Sequence, residues 1–190
     1  MQTSSNKSDD FVPLVKKAKQ GDEIAFELLY TQYFAPIYRY ILLRTSDPED
    51  ADDLTQLVFI KFYSNLGNWE DKGFQPSAYL YTIARSVIAD FYRAKGRKGS
   101  KLLNSEEILT LITDTSQNPH SDVIKNEETI KLYSDLKQLP QNYQEVLLLR
   151  YMEGLTSQDI ASIIGKSDVA TRKMISRATT ALSKIAKQEY

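Results

Sequence analysis

Two stretches of the chain concentrate side chains suited to binding a polyanion. From Arg85 to Lys101 the sequence places Arg85, Arg93, Lys95, Arg97, Lys98 and Lys101 against Asp90 alone. From Lys166 to Lys187 it places Lys166, Arg172, Lys173, Arg177, Lys184 and Lys187 against Asp168 alone. Lys, Arg and Ser/Thr contact phosphates, whereas Arg, Asn, Gln and methyl groups read base edges. A third stretch has the opposite sign: "DPEDADD", residues 47–53, carries five acids and no base. The zones cancel to a formal net charge of −1. Local fields rather than that sum decide what a surface attracts.

Other chemistry finds little support. The chain has no cysteine, which removes disulfides and thiolate metal sites and fits a reducing cytosol. Its one histidine, His120, lies in a polar stretch, and no P-loop, GxSxG or HExxH pattern occurs. The acidic run lacks the Gly and Glu spacing of an EF-hand. We therefore expect no catalytic residue, no metal and no cofactor. "MQTSSNKSDD" has no apolar core, so no signal peptide is expected, and no stretch approaches the length of a membrane span. A cytoplasmic protein is the corresponding expectation.

Helices must position these groups. Apolar residues recur at helical spacing and strand alternation is absent, so the fold class is all-α. The periodicity predicts helices over Phe11–Gln20, Asp22–Leu43 (kinked or restarted at Pro36), Pro48–Leu66 and Pro76–Lys95. "GNWEDKGFQP" between the last two reads as a loop. After Lys95 the texture turns polar, rich in Gly, Ser and Asn. Helical pattern then resumes over Val123–Gln138, Gln141–Glu153, Ser157–Ile164 and Val169–Lys187. The expected organisation is a disordered 1–10, a helical domain over 11–97, a linker over 98–124 and a second helical domain over 125–190.

The second domain carries the sharper signal. Thr156 and Asp159 have the spacing of a capping box, and Leu155 and Ile160 that of a hydrophobic staple. Gly165 suits a left-handed helix end, and Ser167 or Asp168 can cap the helix that follows. A short helix, a glycine turn and a longer helix outline a helix-turn-helix. On a 100° wheel, Thr171, Met174, Ile175, Ala178, Leu182 and Ile185 share the packing side. Arg172, Lys173, Ser176, Arg177, Thr180 and Lys184 share the other. Lys166 and Ser167 precede the helix, and Val169 near its start is placed to meet a thymine methyl.

In the first domain, Leu80, Ile83, Ala84, Val87, Ile88 and Phe91 form an apolar stripe on the fourth helix. Tyr81, Thr82, Arg85, Ser86, Tyr92 and Arg93 lie opposite, with Tyr79 at the margin. Aromatic faces stack on unpaired bases while cations follow the backbone, so this face suits a separated DNA strand. An ordinary tyrosine-rich surface is the competing reading. On the third helix Leu54, Val58 and Phe62 point inward, leaving Asp52, Asp53, Gln56, Ile60 and Tyr63 outward. Apolar groups beside carboxylates suggest a protein partner. The acids alternatively favour the helix start through its dipole.

Together these motifs resemble bacterial RNA polymerase sigma factors of the extracytoplasmic-function (ECF) group of the sigma-70 family. "LPQNYQEVLLLRYMEGLTSQDIASIIGKS" with "ISRATTAL" is similar to region four. The resemblance implies that Lys166, Ser167, Val169, Arg172, Lys173, Ser176, Arg177 and Thr180 bind the −35 element. It departs at "VATRKM", where Met174 stands in place of an arginine. "AYLYTIARS" and Asp90 resemble region two, with Tyr79 for the usual Trp and Ser86 for Asn. That implies −10 recognition and melting by Tyr79, Tyr81, Arg85, Ser86, Tyr92 and Arg93, with Arg97 and Lys98 beyond. The loop from Gly67 to Gln75 would hold a flipped base, with Asn68, Trp69, Lys72 and Phe74 as candidates. Trp69 is read two ways, as a stacking ring or as a core plug. "DADDLTQ" resembles the segment that docks on the β′ clamp, which assigns Asp50, Asp52, Asp53, Gln56, Ile60 and Tyr63 to polymerase binding; Leu57 replaces an acid usual there. Expected partners are RNA polymerase core (β′ clamp and β flap), promoter DNA and an anti-sigma factor. A helix-turn-helix regulator acting on an operator without polymerase, and a sigma-like adaptor or decoy, remain alternatives.

Overall fold

The computed structural model describes residues 11–71, 75, 77–95 and 127–188. These fall into two compact units, one on each side of residue 100. All regular elements among the described residues are helical.

The first unit packs four α-helices. α1 (Phe11–Lys19) buries Phe11, Val15 and Ala18, one stripe at i, i+4, i+7. α2 (Glu23–Thr45) is capped by Asp22, whose carboxylate accepts from the Ala25 N–H at 3.1 Å. The expected kink or restart at Pro36 is not found as a break: α2 runs as one helix through it. An interior proline costs about 3 kcal/mol. Burial of Tyr33, Ile37, Tyr40 and Ile41 on either side offsets that cost. α3 (Pro48–Asn65) begins at Asp47, which accepts from the N–H groups of Glu49 and Asp50, with Pro48 at the first helical position. Part of the acidic run is thus helix-start chemistry. α3 ends in a 3-10 turn, Leu66–Asn68, where the sequence predicted loop. α4 (Ala78–Lys95) completes the bundle.

The core joins Leu29, Ile41, Val58, Phe62, Leu80 and Val87. Phe11 anchors α1 to it, meeting Tyr33 edge-on at 5.2 Å and Phe62 at 6.0 Å between centroids. Lys19 Nζ donates to the Trp69 carbonyl at 2.9 Å, tying the end of α1 to the segment after α3.

The second unit comprises α5 (Glu127–Lys137), α6 (Gln141–Leu147), α7 (Ser157–Ile164) and α8 (Asp168–Gln188). The sequence predicted one α-helix over Gln141–Glu153. Instead a π-helical turn occupies Leu148–Met152, closed by the Glu153 N–H donating to the Leu148 carbonyl. Val146, Leu147, Leu148 and Leu149 are buried in succession, so over this turn every side of the helix packs inward, while Gln141, Asn142 and Arg150 at its ends are exposed.

Candidate nucleic-acid and polymerase interfaces

In the second unit local chemistry sets the turn between α7 and α8. Thr156 Oγ1 accepts from the Asp159 N–H at 3.2 Å, and Asp159 Oδ2 accepts from the Thr156 N–H at 3.0 Å. This reciprocal pair is the capping box the sequence predicts. Leu155 and Ile160, the staple pair, are both fully buried. Gly165 closes α7 at φ 68°, ψ 41°, where a side chain would be strained although the space around it is open. Ser167 Oγ then accepts from the Ala170 N–H at 3.3 Å and caps α8. Thr156→Ala should cost about 1 kcal/mol, and Thr156→Ser much less. A fall in the urea midpoint of the full chain for the alanine variant alone is the expected result.

α8 divides into two sides. Thr171 and Ala178 are fully buried, and Met174, Ile175, Leu182 and Ile185 are half-buried. Lys166, Ser167, Lys173, Ser176, Arg177 and Thr180 are exposed, and Val169 is 60% exposed near the helix start. Met174, standing where an arginine is usual, lies partly in the packing and not on the cationic side. Arg172 is exposed, but its guanidinium is paired with Asp168 one turn earlier. Sequence reading passed over that pair, although the i, i+4 spacing announces it. It also passed over a groove of about 1000 Å³ alongside α8. Arg150 and Tyr151, from the π turn, line it opposite Arg172, Ser176, Thr180 and Lys184. Arg150 Nη1 donates to the Leu155 carbonyl at 2.9 Å, which fixes its head beside the groove.

The first unit presents two surfaces. On α4, Arg85, Ser86, Tyr92 and Arg93 are exposed. Tyr92 donates its hydroxyl to the Arg44 carbonyl at 2.6 Å, tying α4 to the end of α2. Arg93 pairs with Asp90 at 2.8 Å, and Asp90 also meets Lys61 of α3 at 3.5 Å. Tyr79 is half-buried against Phe62, and that burial pushes its hydroxyl pKa above the usual range. One expectation is corrected and one choice between two readings is decided. Tyr81, placed on the open side by the wheel, is 1% exposed and packs edge-on against Tyr40 at 5.4 Å. Trp69 is 8% exposed and lies 6.2 Å from Phe11, so of its two readings the structure selects the core plug. Asn68 is exposed beside it. Lys72, Phe74, Arg97 and Lys98 lie outside the described residues.

On α3, Asp53 and Gln56 are exposed, Asp50 and Asp52 half-buried. Gln56 Nε2 donates to Asp52 Oδ2 at 2.7 Å. Ile60 is 61% and Tyr63 54% exposed. Of these, Gln56, Ile60 and Tyr63 border a groove of about 490 Å³ completed by Phe26 and Tyr30 of α2 and Phe59 and Ser64 of α3. Phe26 packs edge-on against Tyr63 at 4.8 Å, and Tyr30 lies 4.8 Å from Phe59. The α2 contribution was invisible on the α3 wheel. Leu57, in place of a usual acid, adds a further exposed apolar group. Among the described residues no cluster of His, Cys, Asp and Glu is arranged to hold a metal ion. No described helix is long and apolar enough to cross a membrane.

Comparison with known proteins agrees with this division. A family model described as Sigma-70 region 2 matches residues 29–98, and one described as Sigma-70, region 4 matches residues 131–182. RNA polymerase sigma factor YlaC of Bacillus subtilis is 32% identical over 167 residues, covering 87% of this chain and 93% of YlaC. ECF RNA polymerase sigma factor BldN of Streptomyces coelicolor is 28% identical over 176 residues, covering 90% of this chain. That match spans 64% of the length of BldN. The fold is similar to that of sigma factor RpoE in its co-crystal structure with the anti-sigma factor NepR from Bartonella quintana. The TM-score is 0.65 at 20% identity, covering 85% of this chain and 96% of that one. The chain belongs to the sigma-70 family of RNA polymerase sigma factors, in its ECF group. Its function is that of the family, directing RNA polymerase to promoters for transcription initiation.

Proposed function

We propose that the two units divide this task by surface chemistry. The α3 ridge of Asp50, Asp52, Asp53, Gln56, Ile60 and Tyr63 binds the β′ clamp of core polymerase, and the second unit meets the β flap. Its exposed apolar groups desolvate on contact while the carboxylates set register against a basic partner. The α4 face, with Tyr79, Arg85, Ser86, Tyr92 and Arg93, takes the −10 strand; Asn68, Arg97 and Lys98 join it. α8 enters the −35 major groove. The observation that carries this reading is the charge division of α8, with buried Thr171 and Ala178 behind exposed Lys173, Ser176, Arg177 and Thr180.

The chain supplies binding rather than reaction chemistry, and it acts in the cytoplasm where polymerase acts. An anti-sigma factor is a further partner, as the RpoE–NepR complex suggests. To silence the chain it would have to cover the α3 ridge or the cationic faces. The test is run-off transcription from genomic fragments by core polymerase with and without the full chain, alongside a gel shift of the chain alone at moderate salt. Promoter-specific transcripts that require both proteins, with feeble duplex binding by the free chain, are expected. Tight operator binding without polymerase would favour a free-standing regulator, and core binding without specific transcripts a decoy.

A further inference from the structure

Arg172 differs from its cationic neighbours on α8. Its Nε and Nη2 both donate to Asp168 Oδ2, the former at 2.9 Å. Lys173, Arg177 and Lys184 make no such pair among the described residues. The two groups shift one another: the Arg172 guanidinium holds the Asp168 carboxyl below the usual carboxylate range, with Ser157 acting in the same direction. At neutral pH the pair is therefore fully ionised.

Pairing changes what Arg172 offers to DNA. A guanidinium neutralised by an adjacent carboxylate has little net charge left for a phosphate, so it is a poor substitute for Lys173 or Arg177 in that role. Its hydrogen-bonding fork is not used up. Five N–H groups project from a guanidinium, and Asp168 engages two of them on one edge. The end formed by Nη1 and the second Nη2 hydrogen remains open, and this end matches O6 and N7 of guanine. Asp168 also restricts the side chain before DNA arrives, so less rotamer freedom is lost on binding. Both residues lie in the first turns of α8, the part of a recognition helix that meets base edges.

We propose that Arg172 reads a guanine in the upstream promoter duplex and that Asp168 is its positioning residue. The pair thus contributes specificity where Lys173 and Arg177 contribute affinity. The proposal rests on the −35 role given to α8 above.

The test is selection by reconstituted holoenzyme, core polymerase with the full chain, from a duplex pool randomised across the upstream element. Wild type should enrich a G·C pair at one position by about tenfold or more. Arg172→Ala and Arg172→Lys should both abolish that enrichment, because lysine keeps the charge but lacks the fork. Asp168→Asn should weaken it at the same position and leave the other positions unchanged. Retained guanine preference in Arg172→Lys, or a uniform loss over all sequences in Arg172→Ala, overturns the readout. An unaltered profile in Asp168→Asn overturns the positioning role. Wild-type enrichment of an upstream element with no position sensitive to Arg172 sinks this inference while leaving the −35 role of α8 standing. Failure of wild type to select any upstream element sinks both.

Discussion

Lys173→Ala, Arg177→Ala and Lys184→Ala combined should weaken promoter binding by the holoenzyme and flatten its dependence on salt. All three side chains are exposed on the open side of α8 and none packs into the core. Each lysine or arginine on a phosphate releases condensed counterions, and the logarithm of affinity then falls with that of salt by about 0.9 per contact. Loss of three contacts should reduce the slope by nearly three. Docking on core polymerase through the α3 ridge should not change, because none of the three side chains lies on that ridge. Titrating holoenzyme on a fixed promoter duplex at several salt concentrations measures the slope directly. An unchanged slope would remove α8 from the phosphate backbone.

The second large effect belongs to the ridge. Ile60→Asp with Tyr63→Ala should weaken the complex with core polymerase by about thirtyfold or more, the scale of a 2 kcal/mol hot spot. Tyrosine is among the residues that alanine scans find most costly to lose, and a carboxylate at Ile60 would have to be desolvated on contact. Ile60 is more than half exposed, so a carboxylate there costs the free chain little. Tyr63 gives up only its edge contact with Phe26. Co-elution with core polymerase on size exclusion, with the urea midpoint as a folding control, separates lost binding from lost structure. Equal affinity in a folded double variant would take the partner off this ridge.

What could be read from sequence follows the range of the interactions involved. The α7–α8 turn was legible because its determinants are local: Thr156, Asp159, Gly165 and Ser167 act within a few residues of one another. The cationic side of α8 was legible for the same reason, since a wheel needs only one helix. Tyr81 was misplaced because its environment comes from elsewhere. Tyrosine suits either side of a boundary, and only Tyr40, from α2, decides that this ring turns inward. Trp69 is covered by Phe11, more than fifty positions away. The groove beside Ile60 escaped notice because Phe26 and Tyr30 supply one wall of it from another helix. At Pro36 the local signal for a restart gave way: the helix continues through it, with buried residues on both sides.

The wide turn at Leu148–Met152 has a consequence for how this chain tolerates change in length. A π turn accommodates one residue more than the α ladder requires. Deleting one residue there would restore regular i to i−4 bonding, so a local measure of helix quality would improve. Yet the wide turn closes over five residues where an α turn closes over four, so the deletion would change the direction in which the chain leaves α6. The groove lined by Arg150 and Lys184 would then lose its alignment. The surplus residue therefore acts as a spacer that sets where α7 begins, and a one-residue deletion there should disturb the groove more than a side-chain substitution at the same exposed position.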